Sequence, residues 1–136
     1  MTGLPLHHVA LAVESLETAV PLYESITGSG SSPIETLATQ GVRVTFIGHQ
    51  LELIEPLEED SGVGRFLARN GPGLHHIAFT SADLQADLER LAAEGYERID
   101  PVPRPGAFGH RVAFLHPRST GRVLVELVEE HGVTPP

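Results

Sequence analysis

The sequence contains no cysteine and no lysine, and none of its apolar runs approaches the roughly 20 residues of a membrane span. Without cysteine there are no thiolate nucleophiles, no disulfides and no Cys-bound structural zinc, so any metal must be held by nitrogen and oxygen. All nine basic residues are arginine, which removes a Schiff-base lysine, a P-loop lysine and an amine general base. A formal charge of −9 argues against nucleic acid as a partner, because phosphate binding rests on clustered basic residues. An anionic small ligand would need a local group of arginines. The N-terminus lacks a basic stretch followed by an apolar core, so neither export nor membrane insertion is expected, and the cytoplasm is the expected compartment. A chain of 136 residues is the size of one domain with a real core.

What the chain does contain is an internal repeat. Leu6-His7-His8-Val9-Ala10-Leu11 recurs 68 residues later as Leu74-His75-His76-Ile77-Ala78-Phe79. The same offset carries Ser15-Leu16 onto Asp83-Leu84, and Gly41-x-Arg43-Val44-x-Phe46 onto Gly109-x-Arg111-Val112-x-Phe114. A longer turn, His116 to Gly121, then widens the offset to 74, so that Glu52-Leu53 matches Glu126-Leu127. Each half reads as strand, helix and three strands. Ser15 and Asp83 are the expected N-caps. Leu84, Leu88 and Leu91 form the apolar stripe of the second helix, which Gly95 ends. The first helix, from Leu16 to about Ile26, has Pro21 in its interior and should be kinked there. The later strands are expected at Ile34–Leu37, Val42–Ile47 and Gln50–Ile54, and at Arg98–Pro101, Arg111–Leu115 and Val123–Val128. Module 1 thus covers about 5–57, a linker with a short helix 58–72, and module 2 about 73–130, all within one domain of residues 1–136.

Side chains two apart in a strand share a face. His8 therefore lies with Ala10 and Ala12, away from Val9, Leu11 and Val13. His76 lies with Ala78 and Thr80, away from Ile77 and Phe79. In the last strand of each half the acid repeats the pattern: Glu52 faces away from Leu51 and Leu53, and Glu126 away from Val125 and Leu127. A lone strand histidine is ordinarily a hydrogen-bonded structural residue, and Glu52 alone could be an exposed carboxylate on an edge strand. Two histidines at matched positions, each with a matched glutamate, point instead to a His₂Glu₂ set for one divalent ion of the Co²⁺, Mn²⁺, Ni²⁺, Fe²⁺ or Zn²⁺ group. His7 and His75 read as polar caps at the strand starts. His110 and His116 are placed on loops flanking the histidine-bearing face, as substrate contacts or as solvated loop residues.

Over almost its whole length the chain resembles the vicinal oxygen chelate superfamily. Within it the likeness is to the methylmalonyl-CoA epimerases, carried by Leu6-His-His-Val-Ala-Leu-Ala-Val13, Leu51-Glu-Leu-Ile-Glu-Pro-Leu57, Gly73-Leu-His-His-Ile-Ala-Phe79, Gly106-Ala-Phe-Gly109 and Phe114-Leu-His-Pro-Arg-Ser119 running on to Val123-Leu-Val-Glu-Leu127. The resemblance implies an α+β fold in which two tandem βαβββ modules form an eight-stranded, partly open, barrel-like sheet around a metal cleft. It also implies a homodimer and a divalent ion, Co²⁺ first, on His8, Glu52, His76 and Glu126, with glutamine at the Glu52 position in some members. The implied substrate is an acyl-CoA, and the implied reaction is transfer of the α proton between the two faces of methylmalonyl-CoA through an enolate, with Glu126 as one base and either Glu52 or a water on the metal as the other. Some members have a glutamate where this chain has Val44. Arg104, Gly106, Phe108, Gly109, His116 and Arg118 are the expected substrate contacts, with Arg104 and Arg118, and also Arg111 and Arg122, available to phosphates. Glyoxalase I, a dioxygenase using His8, His76 and Glu126 on Fe²⁺, and a metal-free binding protein are the competing readings within the same fold.

Overall fold

A computed structural model describes residues 3–130. Its elements are β1 (Leu6–Ala12), α1 (Leu16–Thr27), β2 (Glu35–Leu37), β3 (Val42–Ile47), β4 (Leu51–Pro56), α2 (Gly62–Asn70), β5 (Gly73–Thr80), α3 (Leu84–Ala93), β6 (Arg104–Pro105), β7 (Arg111–Leu115) and β8 (Leu124–Glu129). Short 3₁₀ turns at Ala107–Gly109 and Pro117–Ser119 flank β7. The fold is α+β, and each half has the expected strand, helix and three strands. Among the described residues no helix is long and apolar enough to cross a membrane.

The chain gathers into two compact units, residues 8–75 and residues 3–7 with 76–130. In the first, the strands run in the order β2-β3-β4-β1, antiparallel except that β1 and β4 are parallel. In the second, the order is β5-β8-β7-β6, with β5 and β8 parallel. Alternation sorts the faces. Val13, Leu16, Ala19, Ile47 and Leu53 form the core under α1, with Leu11, Val20 and Tyr23 against it. Leu84, Leu88, Ala113, Leu115 and Leu127 form the core under α3, joined by Phe79, Leu91 and Val125. Both histidine-bearing faces are thereby turned away from the helices.

The helix starts are held by a device that the caps did not reveal. Asp83 accepts from the Ala86 N–H at 3.1 Å, as expected, whereas the Ser15 side chain makes no capping bond. In both modules a glutamate at the end of the last strand reaches the first helical amide: Glu129 accepts from Leu84 N–H at 2.9 Å, and Glu55 from Leu16 N–H at 3.5 Å. Each glutamate is also paired with the arginine of the repeated Gly-x-Arg motif, Arg43 to Glu55 at 2.7 Å and Arg111 to Glu129 at 3.1 Å. An acid at a helix N-terminus meets the unsatisfied amides and the positive end of the dipole. The carboxylates of Glu55 and Glu17 raise the pKa of Arg43 above the ordinary guanidinium value.

One strand lies elsewhere than expected. The outer strand of the second module is Arg104–Pro105, not Arg98–Pro101; Arg98 makes only an isolated bridge to Leu115. Prolines at 101, 103 and 105 cannot donate to a ladder, and the Asp100 side chain takes the Phe114 N–H at 2.9 Å in place of a backbone carbonyl. α1 runs through Pro21 and ends at Gly28, whose φ of 72° supplies the left-handed residue that closes the helix. In α2, Gly64 lies against the carbonyls of Glu58 and Glu59, where an added Cβ would press into both. Gly64→Ala is therefore expected to destabilise the protein by about 1–3 kcal/mol. Urea unfolding checks this, and an unchanged midpoint would show that the 58–59 loop yields freely.

Candidate active site

Each unit carries one histidine–glutamate pair, and the two pairs are built alike. In the 8–75 unit Glu52 sits on β4 in register with Ala10 of β1 and Phe46 of β3. Its Oε1 lies 3.2 Å from His8 Nε2, and the two residues are 5 % and 3 % exposed. β4 lies between β3 and β1, so Glu52 is an interior residue and not the exposed edge carboxylate that was the alternative. Ala10 and Ala12 are fully buried on the same face, and Phe46 stands edge-on to the His8 ring at 5.2 Å.

In the other unit Glu126 of β8 is in register with Ala78 of β5 and Phe114 of β7. Its Oε1 lies 3.1 Å from His76 Nε2, with the residues 5 % and 4 % exposed. Phe114 stands edge-on to His76 at 5.5 Å. The phenylalanines are members of the repeated Gly-x-Arg-Val-x-Phe segment. Their repetition at the offset of the histidines is the sequence signal that marks them. Each wall clamps an imidazole ring so that Nε2 is directed at the carboxylate.

The donor chemistry fits a divalent cation. Imidazole nitrogen and carboxylate oxygen are the ligands that borderline ions take, and a buried carboxylate is costly unless positive charge accompanies it. Each unit offers one such N/O pair.

The remaining expected contacts belong to the same unit as the second pair. Arg104 is in register with Val112, on the face that carries His76. Its guanidinium stands 5.5 Å from the centroid of the Phe114 ring, with Nε 3.5 Å from Asp100 Oδ1. Gly106 is pressed onto Val112, where a Cβ would come within 2.6 Å of a methyl group; the close approach requires glycine. Phe108 and Gly109 have φ of 59° and 73°, and the turn closes on itself through Gly106 N–H to the His110 carbonyl at 2.9 Å. His116 is turned inward on its own loop, its Nδ1 accepting from the Arg118 amide at 3.1 Å. Arg118 forms a two-pronged pair with Glu97 at 2.9 and 2.6 Å, and this arginine holds the Glu97 carboxyl below its ordinary pKa. Val44 is buried in register with Ile54 and Glu35. His110 is not the solvated loop residue that was one alternative, being only 3 % exposed, and His7, at the start of β1, lies 3.3 Å from Glu130.

The chain is similar to several known proteins. The profile of the Glyoxalase/Bleomycin resistance protein/Dioxygenase superfamily matches residues 7–114. The Bacillus subtilis protein YqjC is 44 % identical over 93 % of this chain and 93 % of its own. The mitochondrial methylmalonyl-CoA epimerase of Dictyostelium discoideum is 37 % identical over 92 % of this chain and 78 % of its own. Among solved structures, a single-residue variant of Streptomyces coelicolor methylmalonyl-CoA epimerase, in complex with 2-nitronate-propionyl-CoA, superposes with a TM-score of 0.92 at 37 % identity, covering 98 % of this chain and all of that one. The paired His–Glu modules and these likenesses together place the chain in the Glyoxalase/Bleomycin resistance protein/Dioxygenase superfamily, to which it belongs as a member of the methylmalonyl-CoA epimerase family.

Proposed function

We propose that the chain interconverts the two C2 epimers of methylmalonyl-CoA, with one divalent ion held by His8, Glu52, His76 and Glu126. The observation that carries this reading is the duplicated pair: a buried imidazole and a buried carboxylate, 3.2 and 3.1 Å apart, one in each module. When bound, the ion would supply Lewis-acid polarisation of the carbonyl beside the acidic C–H, lowering the cost of charge on the thioester oxygen.

The side chains do the rest. Inversion requires the proton to leave one face of C2 and a proton to arrive on the other, so two groups able to carry protons are needed. Glu126 accepts the α proton on one face, and Glu52 delivers one on the opposite face. Reversal exchanges the roles, and no net proton is gained or lost. Val44 can take no part, which leaves Glu52 as the carboxylate of the first module. Phe46 and Phe114 hold the imidazoles in place and help keep water from the carbanion. Arg104, a cation on the His76 face, receives an anionic group of the substrate. The Gly106–Gly109 turn, including Phe108, is assigned to the acyl end, and Arg118 and His116 to contacts with the CoA moiety.

The test is solvent exchange. Protein loaded with Co²⁺ and incubated with (2R)-methylmalonyl-CoA in D₂O is expected to wash deuterium into C2, read by proton NMR, and to stop doing so when the metal is chelated. Absence of exchange in the loaded protein would overturn the proposal, and the hemithioacetal of glutathione and methylglyoxal would then be the substrate to examine.

A further inference from the structure

A second constellation of ligand type lies within the unit of residues 3–7 and 76–130. His7, His110 and Glu130 each present one donor atom, and the three atoms lie within 4.8 Å of one another. Both imidazoles address the same carboxylate oxygen: Glu130 Oε2 is 3.3 Å from His7 Nε2 and 3.9 Å from His110 Nε2. The longer distance exceeds a hydrogen bond. Donors about 2.0–2.1 Å from a tetrahedral Zn²⁺ are about 3.3–3.4 Å apart, a spacing that the His7 distance already has and that the His110 distance reaches by a small rotation of the carboxylate. The two rings stand 6.0 Å apart and nearly perpendicular, at 86°.

The frame around these groups is stiff on one side and open on the other. His110 is 3 % exposed and is fixed by the 3₁₀ turn before it, its N–H donating to the Ala107 carbonyl and its carbonyl accepting from Gly106. His7 is carried at the start of β1, just after Pro5, whose carbonyl accepts from Thr80 N–H at 2.7 Å. Glu130 is 40 % exposed, so an ion can enter from solvent and keep a water ligand. Two largely buried imidazoles converging on one partly exposed carboxylate give an N₂O set with an open position, the donor pattern of a borderline divalent ion.

We infer that His7, His110 and Glu130 form a second metal site, separate in its ligands from the proposed His₂Glu₂ set and selective for ions of the Zn²⁺ class over Mg²⁺ or Ca²⁺. Equilibrium dialysis of the full chain against Zn²⁺ with elemental analysis tests it. Two ions per chain are expected, falling to one in Glu130→Gln and in His110→Asn, with the weaker ion losing affinity about tenfold or more in the conservative Glu130 variant. Since His110 is buried and its replacement risks the fold, imidazole nitrogen shifts in ¹⁵N NMR provide a second reading: Zn²⁺ should move the resonances of both His7 and His110 in the unaltered protein. Two ions retained in Glu130→Gln, with no shift at His7 or His110, would overturn the inference. The Glu126→Gln variant separates the two sites. A single ion that survives there but is lost in Glu130→Gln would uphold this site and overturn the His₂Glu₂ one; the reverse pattern would do the opposite.

Discussion

Glu126→Gln is expected to lower kcat for epimerisation by roughly 10²- to 10⁴-fold, the usual contribution of a positioned general base, while leaving the fold intact. The amide has the shape of the carboxylate and can still coordinate through its oxygen, so the packing against Ala78 and Phe114 survives. What it loses is the capacity to take a proton. Metal content must be measured in the same sample, because Glu126 is also a proposed ligand. A loaded variant that keeps more than a tenth of the parent rate would show that the α proton goes elsewhere. Glu52→Gln is expected to lower kcat to a similar extent, because the proposed mechanism gives Glu52 the proton on the opposite face. A loss much smaller than that of Glu126→Gln would show that the second proton comes from another group. Running the two variants in both substrate directions assigns a face to each carboxylate.

Leu88→Ala is expected to cost about 2–5 kcal/mol of folding stability, because it empties a fully buried position. Leu88 is wholly inaccessible and packs with Leu84, Ala113, Leu115 and Leu127, joining α3 to the strands that carry Phe114 and Glu126. Leu22 of α1, half exposed, provides the contrast: its truncation should move stability by about 0.5 kcal/mol or less. Chemical denaturation of the two variants side by side reads the difference. Similar midpoints would mean that the α3 core closes over the deleted side chain.

The repeat explains why most of the fold could be read from the chain. His8 and His76, Glu52 and Glu126, and the alternating apolar partners of each obey the two-residue period of a strand, and α3 shows its buried stripe at Leu84 and Leu88. Periodicity reports what is local. It failed between Tyr96 and Pro105, where Asp100 and three prolines replace ladder bonds by side-chain and bridge contacts. It also failed at Ser15, whose expected cap is supplanted by Glu55, a residue of β4. His7 shows the limit of such local rules. Along the strand it has the pattern of a polar cap, yet its neighbours Glu130 and His110 come from the opposite end of the chain, and no spacing rule links them. The pairing of Arg43 with Glu55 and of Arg111 with Glu129 was written in the repeated Gly-x-Arg motif, but only coordinates show which acid each arginine meets.

The division of β1 between the two compact units bears on how the chain can reach its native state. Residues 8–75 form a continuous stretch, so their contacts with one another span at most that length of chain. The other unit is discontinuous. Its segment 3–7 must wait for β5 before Pro5 can meet Thr80, and loop-closure entropy has to be met before that contact stabilises anything. Such non-local pairing slows folding. The residues synthesised early in this unit therefore find their partners late, and the two adjacent histidines, His7 and His8, join the structure as parts of different units.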